Sequence, residues 1–294
     1  MSLRSHPWLF TFTPLFLATV TAASASADSI SLGAADNYAV LGLTGSKIDL
    51  TNPQTTIQGN LGLGPHATQN FSDGTITGNY VVDPTADNSH HNNVHVQGMR
   101  LTQSLTQAVN DAVSTANAIA ALTPTQTLAS ITHTSTINGN GGTNVINVTG
   151  QIKLDGGDTL TLHGGANDFF YIKVAQGFGL TGGSAIQLAG GVTASHVIFS
   201  ITGDMSETGG GPGGPGGPGS QGVGTFLDIN GKISISDATV TGAIIGGMNN
   251  DIALTSGSHI NQVPFQQTPE PGSMLLMGLG GLGFALFAGR RRSL

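Results

Sequence analysis

The chain of 294 residues has only 9% charged side chains, a formal net charge of −7 and no cysteine. The lack of cysteine excludes disulfides and thiolate metal sites. Between the two ends of the chain, the basic residues are too few and too scattered for nucleic acid or an anionic lipid surface, which both require clustered Lys and Arg; they are Lys47, Arg100, Lys153, Lys173 and Lys232.

The first 27 residues have the three parts of a secretory signal peptide. Arg4 gives a positive start, residues 8–20 form an apolar stretch, and Ala25 and Ala27 supply the small side chains of an A-x-A cleavage site. Pro14 interrupts the apolar stretch, which is also short for a stable membrane span. We therefore expect export from the cytoplasm and a mature chain that begins near Asp28.

Residues 28–268 are enough for one large domain. Short runs that alternate apolar residues with Thr, Ser or Asn are separated by glycine-containing turns, which is typical of strands with one buried face. These runs are residues 38–41, 75–77, 144–148, 151–154, 159–162, 169–174, 185–188, 196–201, 232–235, 239–245 and 251–254. The 45 glycines follow no G-X-Y period, so collagen is excluded. The pattern is compatible with a sandwich or with a solenoid.

Residues 97–122 depart from this strand pattern. Apolar residues recur near i, i+3, i+4 and i+7 from Leu101 to Ala120, and Pro124 ends the pattern. The spacing predicts one long amphipathic helix whose apolar stripe packs against the β body. A solenoid of stacked coils has an apolar flank that such a helix would cover.

Several segments resemble the bacterial and fungal ice-binding-protein fold. They are residues 32–41 (LGAADNYAVL), 56–65 (TIQGNLGLGP), 157–162, 168–172, 196–201 and 240–245, and they occur in the expected order. The resemblance implies a mainly β protein, an irregular right-handed β-helix of triangular section with the long helix alongside. The tract GGGPGGPGGPG at residues 209–219 departs from the family as an insertion and is typical of a flexible surface loop. A fold of this kind does not by itself define a function.

Three polar segments contain residue types that occur in metal sites or catalytic sites. Residues 88–95 contain three histidines, but the Asn and Ser residues among them favour a solvated loop over a metal site. Asp155 and Asp158 bracket two glycines and favour a tight turn over a glycoside-cleaving pair. Residues 164–168 resemble a single calcium β-roll unit, and one copy favours a turn. No catalytic motif is present, so we expect no enzyme, no catalytic or metal-binding residue and no cofactor.

Three Thr-x-Thr pairs are suited to a surface that orders water. Residues i and i+2 of a strand point the same way at roughly 6.6–6.8 Å, so methyl and hydroxyl groups can form a flat row. The pairs are Thr75 with Thr77, Thr159 with Thr161, and Thr239 with Thr241. The alternative is that threonine is simply a good solvent-facing strand residue. If the pairs contact ice, we favour Thr239 and Thr241, because their strand should have neighbours on both sides.

The last 26 residues resemble the PEP-CTERM sorting signal of Gram-negative bacteria. The resemblance rests on a Pro-Glu-Pro triplet, a charge-free apolar run at residues 274–289, and a terminal basic cluster; the motif residues are Pro269, Glu270, Pro271, Arg290, Arg291 and Arg292. The apolar run covers about 24 Å as a helix, a little under a bilayer core, and the arginines would stay cytoplasmic. The resemblance implies a temporary membrane anchor cut by an exosortase, with the product at the cell surface or in the extracellular polymer. A plain membrane anchor is the alternative.

Two functions of different classes follow. The first is a non-catalytic protein of the cell surface or extracellular matrix, with a role in adhesion or biofilm and extracellular polysaccharide as a partner. The second is an ice-binding protein that adsorbs ice through a flat Thr-rich face. A polysaccharide-acting β-helix enzyme is a distant third, because basic side chains are scarce. We expect a monomer that does not bind nucleic acid.

Overall fold

The computed structural model describes residues 30–90, 93–210 and 219–266. This part contains one α-helix, α1 (Thr106–Ala121). The first strands are β1 (Val40–Gly42), β2 (Lys47–Gln58), β3 (Leu61–Leu63), β4 (Thr68–Ile76), β5 (Tyr80–Val82), β6 (Val94–Val96) and β7 (Arg100–Thr102). After α1 come β8 (Gln126–Leu128), β9 (Ser135–Asn138), β10 (Thr143–Val148), β11 (Ile152–Leu154), β12 (Thr159–His163), β13 (Phe169–Val174), β14 (Phe178–Leu180), β15 (Ala185–Ala189), β16 (Val197–Ile201), β17 (Met205–Thr208), β18 (Gln221–Asp228), β19 (Ile233–Ser236), β20 (Thr239–Gly246), β21 (Asp251–Thr255) and β22 (His259–Gln262).

The strands stack in parallel on three faces of a β-helix. Face A contains, in stack order, β7, β5, β3, β1, the second half of β20, the second half of β18, β16, β13, β10 and β8. Face B contains the first halves of β4 and β2, then β21, β19, β17, β14 and β11. Face C contains β6, the second halves of β4 and β2, β22, the first halves of β20 and β18, then β15, β12 and β9. The predicted β-helix with one helix is confirmed.

The chain enters the stack in its middle. Strand β1 lies between β3, its near neighbour in sequence, and β20, which follows it by about two hundred residues. The first coils build outward from β1 to β7, α1 follows, and β8 starts the opposite end of the stack. The later coils then return until β20 and β22 join β1 and β2. This discontinuity makes the β-helix irregular, as predicted.

Face A is apolar on both sides because α1, the segment around Leu32 and the ring of Phe265 cover it. Strand β13 is buried at five of its six positions, whereas β12 alternates buried with half-buried positions. Interior side chains such as Phe170, Phe199 and Phe226 form the core of the β-helix. Outward side chains of face A, such as Tyr171 and Ile198, form a second cluster with Val109 and Ile119 of α1. Both clusters lie within residues Asp28–Thr268, which form one compact unit that therefore carries its own core.

The helix is shorter than the predicted residues 97–122. Residues Arg100–Thr102 instead form β7, whose backbone pairs with β5. Asp83, just after β5, accepts a hydrogen bond from the Leu105 N–H at 2.8 Å, and α1 begins at the next residue. The prediction of the first two turns was wrong because Leu101 fits the helical spacing while its backbone is used by the sheet.

Strand β13 secures the other end of α1. The Lys173 ammonium donates hydrogen bonds to the carbonyls of Ala120 at 3.3 Å and Leu122 at 2.9 Å. A cation is favourable here because the last carbonyls of a helix are unpaired and carry partial negative charge.

We expect Lys173→Met to lower the free energy of unfolding by about 1 kcal/mol. The measurement is urea denaturation at low ionic strength. Lys153→Met is the matched control, since Lys153 is an exposed lysine on β11, and it should change stability much less. Equal effects of the two substitutions would show that the contacts of Lys173 with α1 contribute nothing.

A carboxyl group is buried inside the β-helix. Glu207 of β17 points inward, with Leu180 and Ile235 as its partners on the neighbouring strands. Burial raises the pKa of Glu207 to about 8, an effect only partly offset by the backbone N–H of Gly222. Since the folded-state pKa lies above the unfolded value, the folded protein binds the extra proton, and stability is lost as the pH rises from about 4.5 to about 8.

We therefore expect Glu207→Met to stabilise the protein at pH 9, by about 4 kcal/mol relative to its effect at pH 5. Methionine fills a similar volume without a group that has to ionise. Thermal unfolding of both proteins at the two pH values measures the difference. A stability gap that stays constant between pH 5 and pH 9 would contradict ionisation of Glu207 inside the core.

Candidate functional site

Two of the three faces expose their outer side chains. The outer side of face A contacts α1, while strands of faces B and C alternate a buried inner residue with a half-buried or exposed outer one. Parallel pairing in register places the outer residues of successive strands in rows along the stack, about 4.8 Å apart. These rows are the candidates for contact with a large ligand.

All six predicted threonines lie on face C, in two rows. The first row contains Thr159, Ala185, Gln221, Thr239, His259, Thr56, Thr75 and His95. The second row begins with Thr136, Thr161 and Gln187. Beyond the junction of β15 and β18 it continues with Val223, Thr241, Asn261, Gln58 and Thr77. Neither row contains Lys, Arg, Asp or Glu.

Face C is uncharged but uneven. Thr239 lies between Gln221 and His259, which are both exposed and longer than threonine. The hydroxyl of Thr77 already accepts a hydrogen bond from the Gly59 N–H at 3.1 Å. Strand β20 does have neighbours on both sides, as expected. The threonine pairs are nevertheless separated by bulkier side chains, so they do not form a continuous flat array.

Face B contains a smoother surface, which we call the flat patch. Its first row has one small residue from each of β14, β17, β19 and β21, namely Gly179, Ser206, Ser234 and Ala253. Its second row has the residues two positions later on β17, β19 and β21, namely Thr208, Ser236 and Thr255. All seven are half-buried, and none is larger than threonine. Three strands therefore present methyl and hydroxyl groups in register, beside the bare backbone of Gly179 on β14.

Charged residues border the flat patch. Lys153 and Asp49 end its first row, and a parallel row alternates Asp204, Lys232, Asp251 and Lys47. The Lys47 ammonium lies 2.9 Å from a carboxylate oxygen of Asp49, and this hydrogen bond raises the pKa of Lys47. Opposite charges thus lie beside each other along the border. The patch itself contains no charged residue.

The flat patch was not predicted from the sequence, because its strands carry Ser or Ala where a Thr-x-Thr pair would have threonine. The same i, i+2 spacing is present as Ser206 with Thr208, Ser234 with Ser236, and Ala253 with Thr255. A search for any pair of small side chains on outward strand positions would have found these three. The alignment of these three pairs in one array could not be predicted from the sequence, because it depends on which coils of the β-helix are neighbours.

The other polar segments form local structure. The Asp158 N–H donates to the Asp155 carbonyl at 2.9 Å, which confirms the predicted turn. Residues 164–168 also form a turn, closed by the Asp168 carboxylate. His95 lies on β6 and points outward on face C, whereas His91 is outside the described residues. Within the described ranges, no three His, Asp or Glu side chains come together as metal ligands.

The predicted signal peptide, with Ala25 and Ala27, falls outside the described residues. So does the predicted sorting tail, with its Pro-Glu-Pro triplet, apolar run and terminal arginines. Residues 211–218 of the Gly/Pro tract also lie outside the described residues. Where the described chain resumes, the Ser220 hydroxyl donates a hydrogen bond to the Thr208 carbonyl.

Across the parts of the chain that the structure describes, no helix is long and apolar enough to cross a membrane.

Comparisons with solved structures agree with this architecture. An ice-binding protein from an Antarctic biological consortium is 18% identical, with a TM-score of 0.58 over 88% of this chain and 96% of that one. An ice-binding protein with antifreeze activity from an Arctic yeast is 18% identical, with a TM-score of 0.57 over 82% and 97%. That of the Antarctic ascomycete Antarctomyces psychrotrophicus is 19% identical, with a TM-score of 0.52 over 79% and 98%. No curated protein matches.

The fold and its two open faces define a discontinuous β-helix protein with a helix along one face. The chain belongs to the Ice-binding-like family, whose model matches residues 43–260. The PEP-CTERM protein-sorting motif matches residues 267–292, which implies export and exosortase-type sorting. Both predicted resemblances are confirmed, and neither match indicates a catalytic family.

Proposed function

We propose that this protein adsorbs to ice through the flat patch on face B, outside the cell. The observation that carries the proposal is the in-register array of seven small residues on four strands, free of charge and of any side chain larger than threonine. Membership of the Ice-binding-like family is the independent support.

The physical basis is the match between a rigid array and ordered water. Strands about 4.8 Å apart, with outer residues roughly 6.6–6.8 Å apart along each strand, fix methyl and hydroxyl groups on a two-dimensional lattice. Small side chains have few rotamers, so little conformational entropy is lost when water orders over them. Charged groups would hold their own hydration shells, and they are confined to the border of the patch.

Export supports a role at the cell exterior. The sorting motif at residues 267–292 implies that an exosortase-type enzyme handles the tail. With the proposed signal peptide cut after Ala27, the mature product would contain residues 28–268 at the cell surface or beyond it. Ice is met there, as is extracellular polymer.

The threonine rows of face C are the competing ice-binding surface. They contain Thr75 and Thr77, Thr159 and Thr161, and Thr239 and Thr241, and they are longer than the flat patch. Their protruding Gln and His side chains would lift parts of the face off a crystal. We therefore assign ice contact to face B and keep face C as the alternative.

A non-catalytic matrix role is the second candidate function. Its specific support is that face C offers amide, imidazole and hydroxyl groups without formal charge, which suits hydrogen bonding to extracellular polymer. The flat patch has no evident use in that role, so ice adsorption ranks first.

Ice-affinity partitioning of residues 28–268 tests the proposal. Slow growth of ice from a dilute solution should enrich the domain in the ice fraction, while a soluble protein of similar size and charge without ice affinity stays in the liquid. Equal exclusion of both proteins from the ice would reject ice adsorption and leave the matrix role.

A further inference from the structure

A polar groove lies where face C meets face A, well apart from the flat patch. It has a volume of ≈ 500 Å³ and is lined by Asp36, Asn37, Gln58, Gly59, Asn60, Gln262 and Pro264. This volume falls in the usual range of small-molecule sites. The lining brings together three distant parts of the chain: the turn before β1, the end of β2 with the two residues after it, and the end of β22 with the segment after it.

Hydrogen bonds between these three segments hold the groove in shape. The Asn60 side-chain amide donates to the Asn37 carbonyl at 2.8 Å, and the Gln262 side-chain amide donates to the Asp36 carbonyl at 3.1 Å. The Phe265 N–H donates to Asp36 Oδ1 at 2.6 Å, and the Phe265 ring is buried against Phe169 and Tyr171. The site is therefore preorganised, which lowers the entropic cost of binding.

Some polar groups of the lining remain available. Asp36 uses Oδ1 for Phe265, which leaves Oδ2, and Asn37 uses its NH₂ group for the Ala34 carbonyl, which leaves its oxygen. Gln58 is exposed, and its amide has no hydrogen-bond partner among the described residues. A ligand thus meets one carboxylate oxygen, one amide oxygen and one complete amide.

The chemistry of this set restricts the ligand. The lining contains no Lys, Arg or His and includes a carboxylate, so an anionic ligand is disfavoured. One carboxylate is too little for a tightly held metal ion, since cation sites use several oxygen ligands. Pro264 is the apolar residue of the lining, which offers a peptide or lipid no apolar pocket. A neutral molecule with many hydroxyl groups matches, because each hydroxyl both donates and accepts.

We infer that this groove binds a neutral saccharide through Asp36, Asn37 and Gln58. Gln58 also belongs to the second outer row of face C, where it neighbours Asn261. A saccharide longer than the groove would continue along this row toward Thr241. The site provides a contact with neutral extracellular polymer that uses face C and leaves the flat patch free, and it does not depend on ice adsorption.

Nuclear magnetic resonance titration of ¹⁵N-labelled residues 28–268 with maltohexaose and cellohexaose tests the inference. At least one of the two should shift the amide signals of residues 36–37, 58–60 and 262. Gln58→Ala should weaken binding at least fivefold, and so should Asp36→Asn, which keeps an oxygen acceptor for the Phe265 N–H. Gln176→Ala is the matched control, an exposed glutamine between β13 and β14 that is not on face C, and it should bind as the wild type does.

Three results with the neutral saccharides would overturn the inference. They are the absence of shifts with both saccharides, shifts confined to residues outside the groove, and unchanged affinity in Gln58→Ala. A response to anionic alginate oligomers alone would also overturn it, since the lining should repel a polyanion. Heteronuclear spectra of each variant show that the fold is intact, so a loss of binding is not mistaken for unfolding.

Discussion

Asp168→Ala should destabilise the domain by roughly 3–5 kcal/mol, because this one buried carboxylate organises two turns. Asp168 Oδ1 accepts hydrogen bonds from the backbone N–H groups of Gly141 at 2.8 Å and Gly142 at 2.9 Å, and from the Asn144 amide at 2.8 Å. Oδ2 accepts the N–H of Gly165 at 2.8 Å. Alanine would leave these donors without their acceptor.

The same hydrogen bonds give the stability a defined pH dependence. Burial alone would raise the pKa of Asp168, but the bonds from Asn144 and the glycine N–H groups outweigh it and lower the pKa. A lowered folded-state pKa means that the stabilisation is present above the unfolded value near 3.8 and is lost as the pH falls through the folded one. The difference in free energy of unfolding between the wild type and Asp168→Ala should therefore become smaller at acidic pH.

Chemical denaturation at pH 7 and at pH 3 measures both effects. Asp155→Ala is the matched control, an exposed aspartate in a neighbouring glycine-containing turn, and it should cost well under 1 kcal/mol. The loss of stability in Asp168→Asn should fall between the losses in Asp168→Ala and Asp155→Ala, since one oxygen acceptor remains. Comparable losses for Asp168→Ala and Asp155→Ala would show that the hydrogen bonds to Asp168 contribute little.

Strand pattern predicted the faces of this fold only in part. The alternation of Thr159–His163 shows one buried side, and that strand is on open face C. Strand Phe169–Val174 is apolar at every position except Lys173, because the β-helix interior lies on one side and α1 with Phe265 on the other. Local pattern thus reports whether a strand is covered. It does not report which strands are neighbours.

Long-range pairing explains what could not be predicted. The insertion of β1 between β3 and β20 joins residues about two hundred positions apart, and nothing local marks it. The start of α1 was misplaced because Arg100–Thr102 gains more by pairing with β5 than by extending the helix. The order of coils came from family resemblance, since periodicity alone left a sandwich and a solenoid open.

Close approach accounts for several of the glycines. A side chain at Gly139 or Gly164 would place its first carbon 2.7 or 2.8 Å from the Asp168 carboxylate. At Gly242, where β20 turns from face C to face A, that carbon would overlap the Gly224 carbonyl oxygen. The sequence signals turns at such glycines, but the partner that excludes a side chain is visible only in the fold.

Ser234→Tyr should reduce ice activity more than any other single change on the two open faces. Ser234 lies between Ser206 and Ala253 in the first row of the flat patch and two positions from Ser236. A tyrosine ring there would hold the surrounding small side chains away from the crystal. Loss of a central contact typically costs at least about 2 kcal/mol, so the affinity for ice should fall by more than about tenfold, and thermal hysteresis should be lost with it.

Two companion variants make this prediction specific. Ser234→Thr keeps a hydroxyl, adds a methyl group and should retain most of the activity. Thr241→Tyr places the same ring at the centre of the face C rows, in the strand flanked by β18 and β22. Because both tyrosine variants change an outward strand position, they should unfold at similar temperatures, which circular dichroism verifies.

Thermal hysteresis of residues 28–268, compared among the wild type, Ser234→Tyr and Thr241→Tyr, tests the central claim most directly. We expect activity in the wild type and in Thr241→Tyr, and its loss in Ser234→Tyr. The reverse order would move ice contact to the threonine rows of face C. A folded wild-type domain without hysteresis or inhibition of ice recrystallisation would contradict ice adsorption altogether.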